Sequence, residues 1–253
     1  RWVICCGSPC TGFSQAGKKK GLEDKSSKLL LEILKIIAYA QSRAKKQPVY
    51  ILENAPIASM TSSATESEQQ LISRLRAMQG NETIMDSAQF GALSHRCRSF
   101  WTNLLGTGML KTMLHNVKRP RGLNVNSILR DGWKTRPVKA DDTYPFYACN
   151  RVGEHMAALP TFTKTRGSRA FRDEGAGLLI RHLEGDETAA TRKPDPAEKL
   201  LAMGFPADTM DVPGVSTDQK HSLIGNAINL TCLSRWLALV EATALQNHKI
   251  RGS

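Results

Sequence analysis

The sequence predicts an α/β fold, in which a sheet occupies the N-terminal part of the chain and an irregular, basic lobe follows it. Three observations predict this arrangement. Two apolar runs, WVICC (residues 2–6) and VYILEN (residues 49–54), have the length and composition of buried strands. A segment with helical periodicity separates them, and the order strand, helix, strand is typical of a parallel α/β sheet. From residue 106 to 196 the chain is rich in Arg, Lys, Gly and Pro.

The elements of the sheet follow one another in chain order. The first helix is expected to begin at Ser27, a residue type that caps helices, and to end near Ala40. A second helix is predicted from about Glu66 to Met78. A strand near residues 82–86 and an aromatic-rich strand in residues 96–104 complete the predicted sheet.

The rest of the chain is less regular. After Gly106 the alternation of strands and helices is lost, and loops are expected up to about residue 196. Helical periodicity then returns in PAEKLLAMGF (residues 196–205) and in CLSRWLALVEATAL (residues 232–245).

Composition restricts the class of partner. The 253 residues include 35 Lys and Arg against 23 Asp and Glu, a net charge of +12 that favours nucleic acid before a membrane. No apolar run approaches the roughly 20 residues of a membrane span, and no signal peptide is recognised. The six cysteines have neither paired metal-ligand spacing nor the density of a secreted disulfide scaffold. We therefore expect a reducing intracellular compartment, no metal site and no membrane partner.

Two reactive groups follow the first two predicted strands. Cys10 comes after the first strand and Glu53 ends the second, where ligands of open α/β sheets bind. A thiol is nucleophilic as the thiolate, which a basic loop favours, and Pro9 stiffens the approach to it. Taken alone, a Pro-Cys pair is more often a buried structural thiol, and such a glutamate is more often a salt-bridge or turn residue.

Five segments in order resemble motifs IV, VI, VIII, IX and X of the DNA cytosine-5 methyltransferases. They are GSPCTGFSQAG with the helix after it, ENAP, SHRCRSFW, GFP and IGNAI. The form of the third is most similar to the de novo methyltransferase branch. The resemblance implies a partial Rossmann-like methyltransferase sheet. It divides the chain into a catalytic half of the core at 1–105, a target-recognition region at 106–196 and C-terminal helices at 197–253 that return to the core.

The resemblance also implies residue roles. Cys10 would add to carbon 6 of a flipped cytosine, and Glu53 would hydrogen-bond and protonate ring nitrogen 3. Arg98 would hold cytosine oxygen 2, and Arg96, two residues away on the same strand face, a phosphate or the catalytic loop. The supporting residues of the Cys10 loop would be Ser8, Pro9 and Asn54. Without the family, solvated edge arginines and a turn asparagine are the alternatives.

Further residues are assigned to cofactor and DNA. The family implies S-adenosylmethionine, with Gly225 and Asn226 helping to close its pocket. Motif I, the Gly-rich cofactor turn, is not found, and LLGTG (residues 104–108) is rejected as one because no βαβ unit continues from it. The chain begins at Arg1 without a Met, so we expect a cut edge with the cofactor strands upstream. The predicted contacts to double-stranded DNA are Lys18, Lys19, Lys20, Lys164, Arg166, Arg169 and Arg172.

The leading hypothesis is the catalytic and target-recognition portion of a nuclear DNA cytosine-5 methyltransferase that flips its target base in epigenetic DNA methylation. One alternative is an inactive homologue that binds DNA or another methyltransferase chain and regulates it. Another is a tRNA cytosine-5 methyltransferase, although the long basic segment favours DNA. A Cys-His hydrolase would need His95 or His221 near Cys10, and no sequence feature places either there.

Overall fold

The computed structural model describes residues 2–8, 27–56, 69, 73, 75–77, 82–130, 132–142, 149–163, 169–172, 175–182 and 189–249. The chain divides into two compact units. The first comprises Arg1–Met85, Cys97–Val117 and Arg235–Ser253, and the second comprises Asp86–Arg96 and Lys118–Ser234. The boundaries predicted at residues 105 and 196 separate functional regions, and the division into compact units does not test them.

The first unit contains a mixed four-stranded sheet. Its strands are β1 (Val3–Gly7), β2 (Val49–Asn54), β3 (Thr83–Asp86) and β4 (Cys97–Thr102), in the order β1-β2-β4-β3. The predicted parallel pairing of β1 with β2 is confirmed, whereas β4 runs antiparallel to β2. The sequence made no prediction for the direction of β4. Residues 87–96, which join β3 to its neighbour β4, are too few for the crossover of a dozen or more residues that parallel neighbours need.

Helix α1 (Ser27–Arg43) covers this sheet, as predicted. Leu30, Leu34 and Ile37 recur at helical spacing and form one fully buried face. They pack in a core cluster with residues of β2 and β4 that include Leu52 and Trp101. All six residues of β2 are buried, as expected of an interior strand covered on both faces. The described part of the predicted second helix, residues 69, 73 and 75–77, is helical.

Helix α2 (Thr107–His115) occupies a segment that we expected to be a loop. Met109, Leu110 and Met113 have helical spacing, but two glycines near the start of the segment hid the pattern because glycine disfavours helix interiors. Gly106 is the N-cap residue of α2, so the LLGTG segment begins a helix directly after β4. Leu110 is the buried anchor of this helix.

The second unit has a sheet and a core of its own. Strands β5 (Lys134–Thr135), β6 (Leu179–His182) and β7 (Ala189–Arg192) form an antiparallel sheet in the order β5-β6-β7. The sequence predicted only an irregular lobe here, because strands of two to four residues carry no readable period. The unit's buried cluster includes Val125, Met156, Leu159, Leu179 and Leu200.

Three helices follow β7. Helix α3 (Pro196–Ala202) begins with a capping box between Asp195 and Glu198, and α5 (Leu230–Lys249) is the long C-terminal helix. Both lie where helices were predicted. Helix α4 (Thr217–Asn226) was not predicted, because its sequence has few apolar residues, although a capping box formed by Ser216 and Gln219 marks its start.

One helical stretch of the described residues, Thr217–Thr243, has the length and composition that a membrane span would require. It comprises α4 and most of α5. Core helices of water-soluble proteins meet the same criteria, so the stretch carries no membrane assignment.

Candidate active site

Glu53 lies at the carboxyl end of β2, directly opposite Gly7 at the end of β1. Its side chain is buried, and the residue is 7% exposed. A Cβ atom on Gly7 would stand 3.3 Å from Glu53 Oε2, so glycine leaves room for the carboxylate. The Ser8 backbone N–H donates to the Glu53 carbonyl at 3.3 Å, which carries the pairing one residue past the strand. The carboxylate thus occupies the predicted position beyond the strand ends.

Arg98 is the cationic neighbour of Glu53. Arg98 Nε lies 2.9 Å from Glu53 Oε1, and Arg98 Nη1 donates to the Cys97 carbonyl at 2.6 Å. The Nε–Oε1 contact is an ion pair without hydrogen-bond alignment, since Oε1 is buried and accepts no hydrogen bond from the described residues. This oxygen is therefore oriented by charge and keeps its hydrogen-bonding capacity for a ligand.

Asn54, the last residue of β2, contacts Ser8, which precedes the predicted nucleophile loop. Its Nδ2 donates to Ser8 Oγ, and its Oδ1 accepts the Ala55 backbone N–H at 2.6 Å. Asn54 is fully buried, so these bonds satisfy an amide that would otherwise be costly to bury. Ser8 immediately precedes Pro9 and Cys10, both of which lie outside the described residues.

Arg96 belongs to the second unit and has different partners from Arg98. It precedes β4 rather than lying on it, so the argument that both arginines share one strand face was wrong. Arg96 Nη1 and Nη2 each donate to the Gly225 carbonyl at 3.3 Å, and its backbone N–H donates to Asp86 Oδ1 at 2.9 Å. Arg96 and Gly225 are thereby brought together, and Asn226 is the last residue of α4.

Asp86, His95 and Cys149 form a buried polar cluster that the sequence did not predict. His95 Nδ1 lies 2.6 Å from Asp86 Oδ2, and His95 Nε2 lies 3.7 Å from Cys149 Sγ. Burial lowers the pKa of His95, but the hydrogen bonds and charges of Asp86 and Cys149 raise it to about 9. Among the described residues, the sulfur that lies beside His95 is that of Cys149. No motif or spacing linked these two residues.

The basic residues predicted to contact DNA are only partly described. Lys18, Lys19, Lys20, Lys164 and Arg166 lie outside the described residues. The backbone of Arg169 begins a short 3-10 helix, Arg169–Phe171, and the next residue, Arg172, is exposed. Phe171 is buried and packs against Phe162 with ring centroids 5.6 Å apart, which anchors this end of the segment. In the part of the chain that the structure describes, no cluster of metal ligands occurs.

Comparison with known proteins decides the family. The family model of C-5 cytosine-specific DNA methylases matches residues 3–145, which include both strand ends of the site. This chain belongs to that family. The match begins within β1 and extends beyond β5, so it covers Glu53, Arg96 and Arg98 as well as the Pro9-Cys10 segment.

Two curated relatives are bacterial. Type II methyltransferase M.MspI of Moraxella sp. is 31% identical over 241 residues, which are 89% of this chain and 52% of that protein. Type II methyltransferase M.HhaI of Haemophilus parahaemolyticus is 40% identical over 52 residues, which are 21% of this chain and 14% of that protein. The chain thus spans about half the length of M.MspI. The finer resemblance to the de novo branch stays a prediction.

Solved structures support the fold. The S. pombe Dnmt2 methyltransferase has a TM-score of 0.57 at 18% identity, covering 94% of this chain and 77% of that one. The Entamoeba histolytica methyltransferase EhMeth has a TM-score of 0.57 at 14% identity, covering 94% of this chain and 76% of that one. The Rossmann-like α/β class predicted from the sequence is confirmed.

Methyltransferases of this family typically use S-adenosylmethionine. Of the two residues assigned to it, Gly225 has its carbonyl engaged by the Arg96 guanidinium, and Asn226 offers a neutral amide. Neither supplies the carboxylate that binds ribose hydroxyls in nucleotide sites of this kind. Gly225 and Asn226 therefore do not by themselves fit the whole cofactor.

Proposed function

We propose that this chain carries the catalytic and target-recognition portion of an S-adenosylmethionine-dependent DNA cytosine-5 methyltransferase. One observation carries the proposal. The Glu53 carboxylate is buried at the strand ends with one oxygen beside Arg98 Nε and the other beside Gly7. The chain leaves this point through Ser8 towards Pro9 and Cys10, so an acid and a nucleophile start from neighbouring strand ends.

In the proposed reaction, Cys10 is the nucleophile and Glu53 the acid. The Cys10 thiolate forms a bond to carbon 6 of the cytosine, and the electrons of the 5,6 double bond move to carbon 5. Glu53 in its acid form donates a hydrogen bond to ring nitrogen 3, which makes carbon 6 more electrophilic. S-adenosylmethionine, when bound, supplies the methyl group for carbon 5. A base, such as a water molecule, then takes the carbon 5 proton as the bond from carbon 6 to the Cys10 sulfur breaks, which restores the aromatic ring.

The other residues orient these two groups. Arg98 holds Glu53 by charge and is within reach of a base that Glu53 contacts, so it is the proposed partner of cytosine oxygen 2. Asn54 fixes Ser8 through its amide and so sets the direction in which the Cys10 loop departs. Arg96 is proposed to contact a phosphate or the catalytic loop, from a position set by Asp86 and Gly225.

Double-stranded DNA is the proposed substrate. The net charge of +12 favours a polyanion, and the basic segment at residues 161–172 suits contact with a duplex groove. The likeness to solved methyltransferase structures, at 14% to 18% identity, bears on the fold alone and does not favour transfer RNA. We also propose that the protein acts in the nucleus. Flipping of the target base needs a second lobe to hold the duplex, a role that fits residues 106–196.

Covalent trapping tests this proposal. A duplex with 2-pyrimidinone in place of the target cytosine should form an adduct that survives denaturing electrophoresis, because a ring without the amino group is more electrophilic at carbon 6. This arm needs no cofactor. A second duplex, with 5-fluorocytosine, is tested with the cofactor and a separately expressed segment that holds the family's Gly-rich turn. It should be trapped only when methyl transfer occurs, because fluorine blocks the final elimination. Cys10→Ser should abolish both adducts, and Glu53→Gln should reduce them at least about tenfold.

The control variant is Cys6→Ser, which removes a half-buried thiol in β1 and should leave trapping unchanged. An adduct that persists in Cys10→Ser would remove Cys10 from the mechanism. Trapping by a transfer RNA carrying the same base, without trapping by DNA, would replace the substrate. Intact DNA binding with no adduct in either arm would favour the inactive regulatory homologue.

A further inference from the structure

The cluster of Asp86, His95 and Cys149 lies outside the proposed methyl-transfer chemistry. It is a sulfur, an imidazole and a carboxylate in line, with separations of 3.7 Å from Cys149 Sγ to His95 Nε2 and 2.6 Å from His95 Nδ1 to Asp86 Oδ2. His95 is 2% exposed and Asp86 7% exposed, whereas Cys149 is half-buried and so reachable by a small molecule. This is the order of groups that activates a cysteine in many enzymes.

The backbone holds the sulfur and the imidazole in place. The His95 N–H donates to the Leu159 carbonyl at 2.8 Å. Asn150, next to Cys149, accepts the backbone N–H groups of Ala157 and Ala158 through Oδ1, at 2.9 and 3.1 Å. The backbone of His95 and the residue next to Cys149 are therefore both held to the same three-residue segment, 157–159.

The imidazole that faces the Cys149 sulfur is held in its charged form. Asp86 is the carboxylate facing His95, and Asp86 and Cys149 together raise the pKa of His95 to about 9 despite its burial. At neutral pH an imidazolium therefore stands beside the Cys149 sulfur. A positive neighbour stabilises a thiolate, which is the reactive form of cysteine.

We propose that Cys149 is a reactive thiol that hydroperoxides oxidise to a sulfenic acid, with His95 as the proton donor to the leaving group and Asp86 as the residue that positions His95. The proposal does not rest on the proposed methyltransferase activity, although Asp86 also accepts the Arg96 backbone N–H. None of the residues proposed for methyl transfer needs Cys149 to be oxidised.

The step balances with hydrogen peroxide as the oxidant. Cys149 first releases its proton to water, which later returns one to His95, and the thiolate beside the His95 imidazolium then attacks one peroxide oxygen. A sulfur–oxygen bond forms as the oxygen–oxygen bond breaks, so sulfur loses two electrons and the peroxide gains them. The departing hydroxide takes the proton from His95 and leaves as water. The products are a sulfenic acid on Cys149 and one water molecule.

The test compares cysteines within one folded protein. The folded chain is treated with hydrogen peroxide and dimedone, or with iodoacetamide, between pH 6 and 9, and each cysteine peptide is quantified by mass spectrometry. Cys5 is the internal reference. The residue is exposed as a whole, yet partial desolvation of its thiol and the neighbouring Cys6 raise the pKa of that thiol. Accessibility alone therefore predicts that Cys5 reacts faster, and the proposal predicts the reverse.

Cys149 should react at least about tenfold faster than Cys5 at pH 7, and the ratio should rise as the pH falls from 9 to 6. A ratio at or below one, or a ratio independent of pH, would overturn the proposal. His95→Gln should lower the Cys149 rate about tenfold and leave Cys5 unchanged. Cys232 is 3% exposed, so its reactivity reports a loss of folding. If Cys232 becomes reactive in His95→Gln, that variant has unfolded, and the pH series on the parent protein tests the proposal in its place.

Discussion

Arg98 Nε lies 2.9 Å from Glu53 Oε1, and the two side chains are only 14% and 9% exposed. The pair joins β4 to β2 at the end of the sheet where the proposed chemistry takes place. Because both charges are largely removed from water, each depends on the other for compensation. The same contact therefore contributes to stability and orients the proposed acid.

Removing the arginine should destabilise the protein strongly. Arg98→Ala leaves the Glu53 carboxylate buried without its cation, and we expect a loss of roughly 3 kcal/mol in the free energy of unfolding. Urea denaturation monitored by tryptophan fluorescence measures it. Glu53→Gln should also destabilise the protein, because it leaves the largely buried Arg98 guanidinium without its carboxylate.

The matched control is the exposed pair of Glu32 and Lys35, one turn apart on α1. Its side chains are 58% and 72% exposed, so Lys35→Ala should change the free energy of unfolding by no more than about 0.5 kcal/mol. Equal losses in Lys35→Ala and Arg98→Ala would mean that the buried pair has no special energetic role.

Gly7 should be required for the position of the Glu53 carboxylate. In Gly7→Ala the new methyl group would stand 3.3 Å from Glu53 Oε2, so the carboxylate must shift by a few tenths of an ångström. We expect adduct formation with 2-pyrimidinone DNA to fall about tenfold while the unfolding free energy changes little, since small misplacements of catalytic groups are costly.

Gly108→Ala is the control for that substitution. Gly108 lies in α2, and a Cβ atom there would meet nothing within 4 Å. This variant should gain about 0.5 kcal/mol in stability and leave trapping unchanged, because alanine favours helices over glycine. Equal trapping by Gly7→Ala and the parent protein would contradict the assigned role of Gly7.

The sequence predicted the elements that depend on local patterns. The apolar runs of β1 and β2 and the spacing of Leu30, Leu34 and Ile37 are local signals, and these elements lie where expected. The direction of β4 was not predicted, because it depends on which strand β4 pairs with and not on the residues within β4. Strands β5 to β7 were missed because two to four residues are too few to display a period.

Some residues of the candidate site could be placed from local sequence patterns, and others could not. Glu53 and Asn54 could be placed from the end of an apolar run and the family motif. The partners of Arg96 and His95 could not be placed, because Gly225 and Cys149 lie 129 and 54 residues away in the chain. Contacts of this range depend on the packing of the second unit, whose core has no repeated sequence pattern.

DNA binding should be salt-sensitive through the basic segment. We expect the logarithm of the binding constant to fall linearly with the logarithm of salt concentration, since each phosphate contact releases counterions. Changing four residues together to alanine should reduce the slope by up to about four units, one for each lost contact. Fluorescence anisotropy between 50 and 200 mM salt measures the slope. The four residues are Lys164, Arg166, Arg169 and Arg172.

A charge-matched variant controls for net charge. Four exposed basic residues lie in α1 or just after it. Changing them to alanine removes the same four positive charges. That variant should keep the parent slope if contacts rather than net charge decide binding. Equal slopes for both variants would place the DNA-binding surface elsewhere. The control residues are Lys28, Arg43, Lys45 and Lys46.

Lys199 should make stability depend on alkaline pH. Its Nζ lies 3.1 Å from His221 Nδ1 and 5.5 and 5.7 Å from the ring centroids of Phe162 and Phe171. Burial, and secondarily the charge of Lys193, lowers its pKa from 10.5 to about 8. A lowered folded-state pKa means that the folded protein binds fewer protons than the unfolded chain between pH 8 and 10.5, so this contribution rises with pH.

Lys199→Met removes that titration and keeps the apolar contacts with the two rings. The variant should exceed the parent in unfolding free energy below pH 8, and its advantage should shrink by about 1 kcal/mol by pH 9.5. The expected change in unfolding free energy is smaller than for a fully buried lysine, because part of the Lys199 side chain is exposed to solvent. A difference that does not change with pH in urea titrations would contradict the lowered pKa.

The last prediction concerns the cofactor, which this chain alone should not bind measurably. S-adenosylmethionine needs a close backbone approach and a carboxylate for its ribose. The Gly225 carbonyl is engaged by the Arg96 guanidinium, and neither Gly225 nor Asn226 is an acid. In the described sheet β1 is an edge strand, with Trp2 76% exposed and Val3 42% exposed, so another strand can pair there. Calorimetry with the cofactor should give no heat from the chain alone and measurable heat after addition of a separately expressed segment holding the family's Gly-rich turn. Tight binding by the chain alone would mean that its own residues build the cofactor site, and Gly225→Ala and Asn226→Ala would then show whether α4 contributes to it.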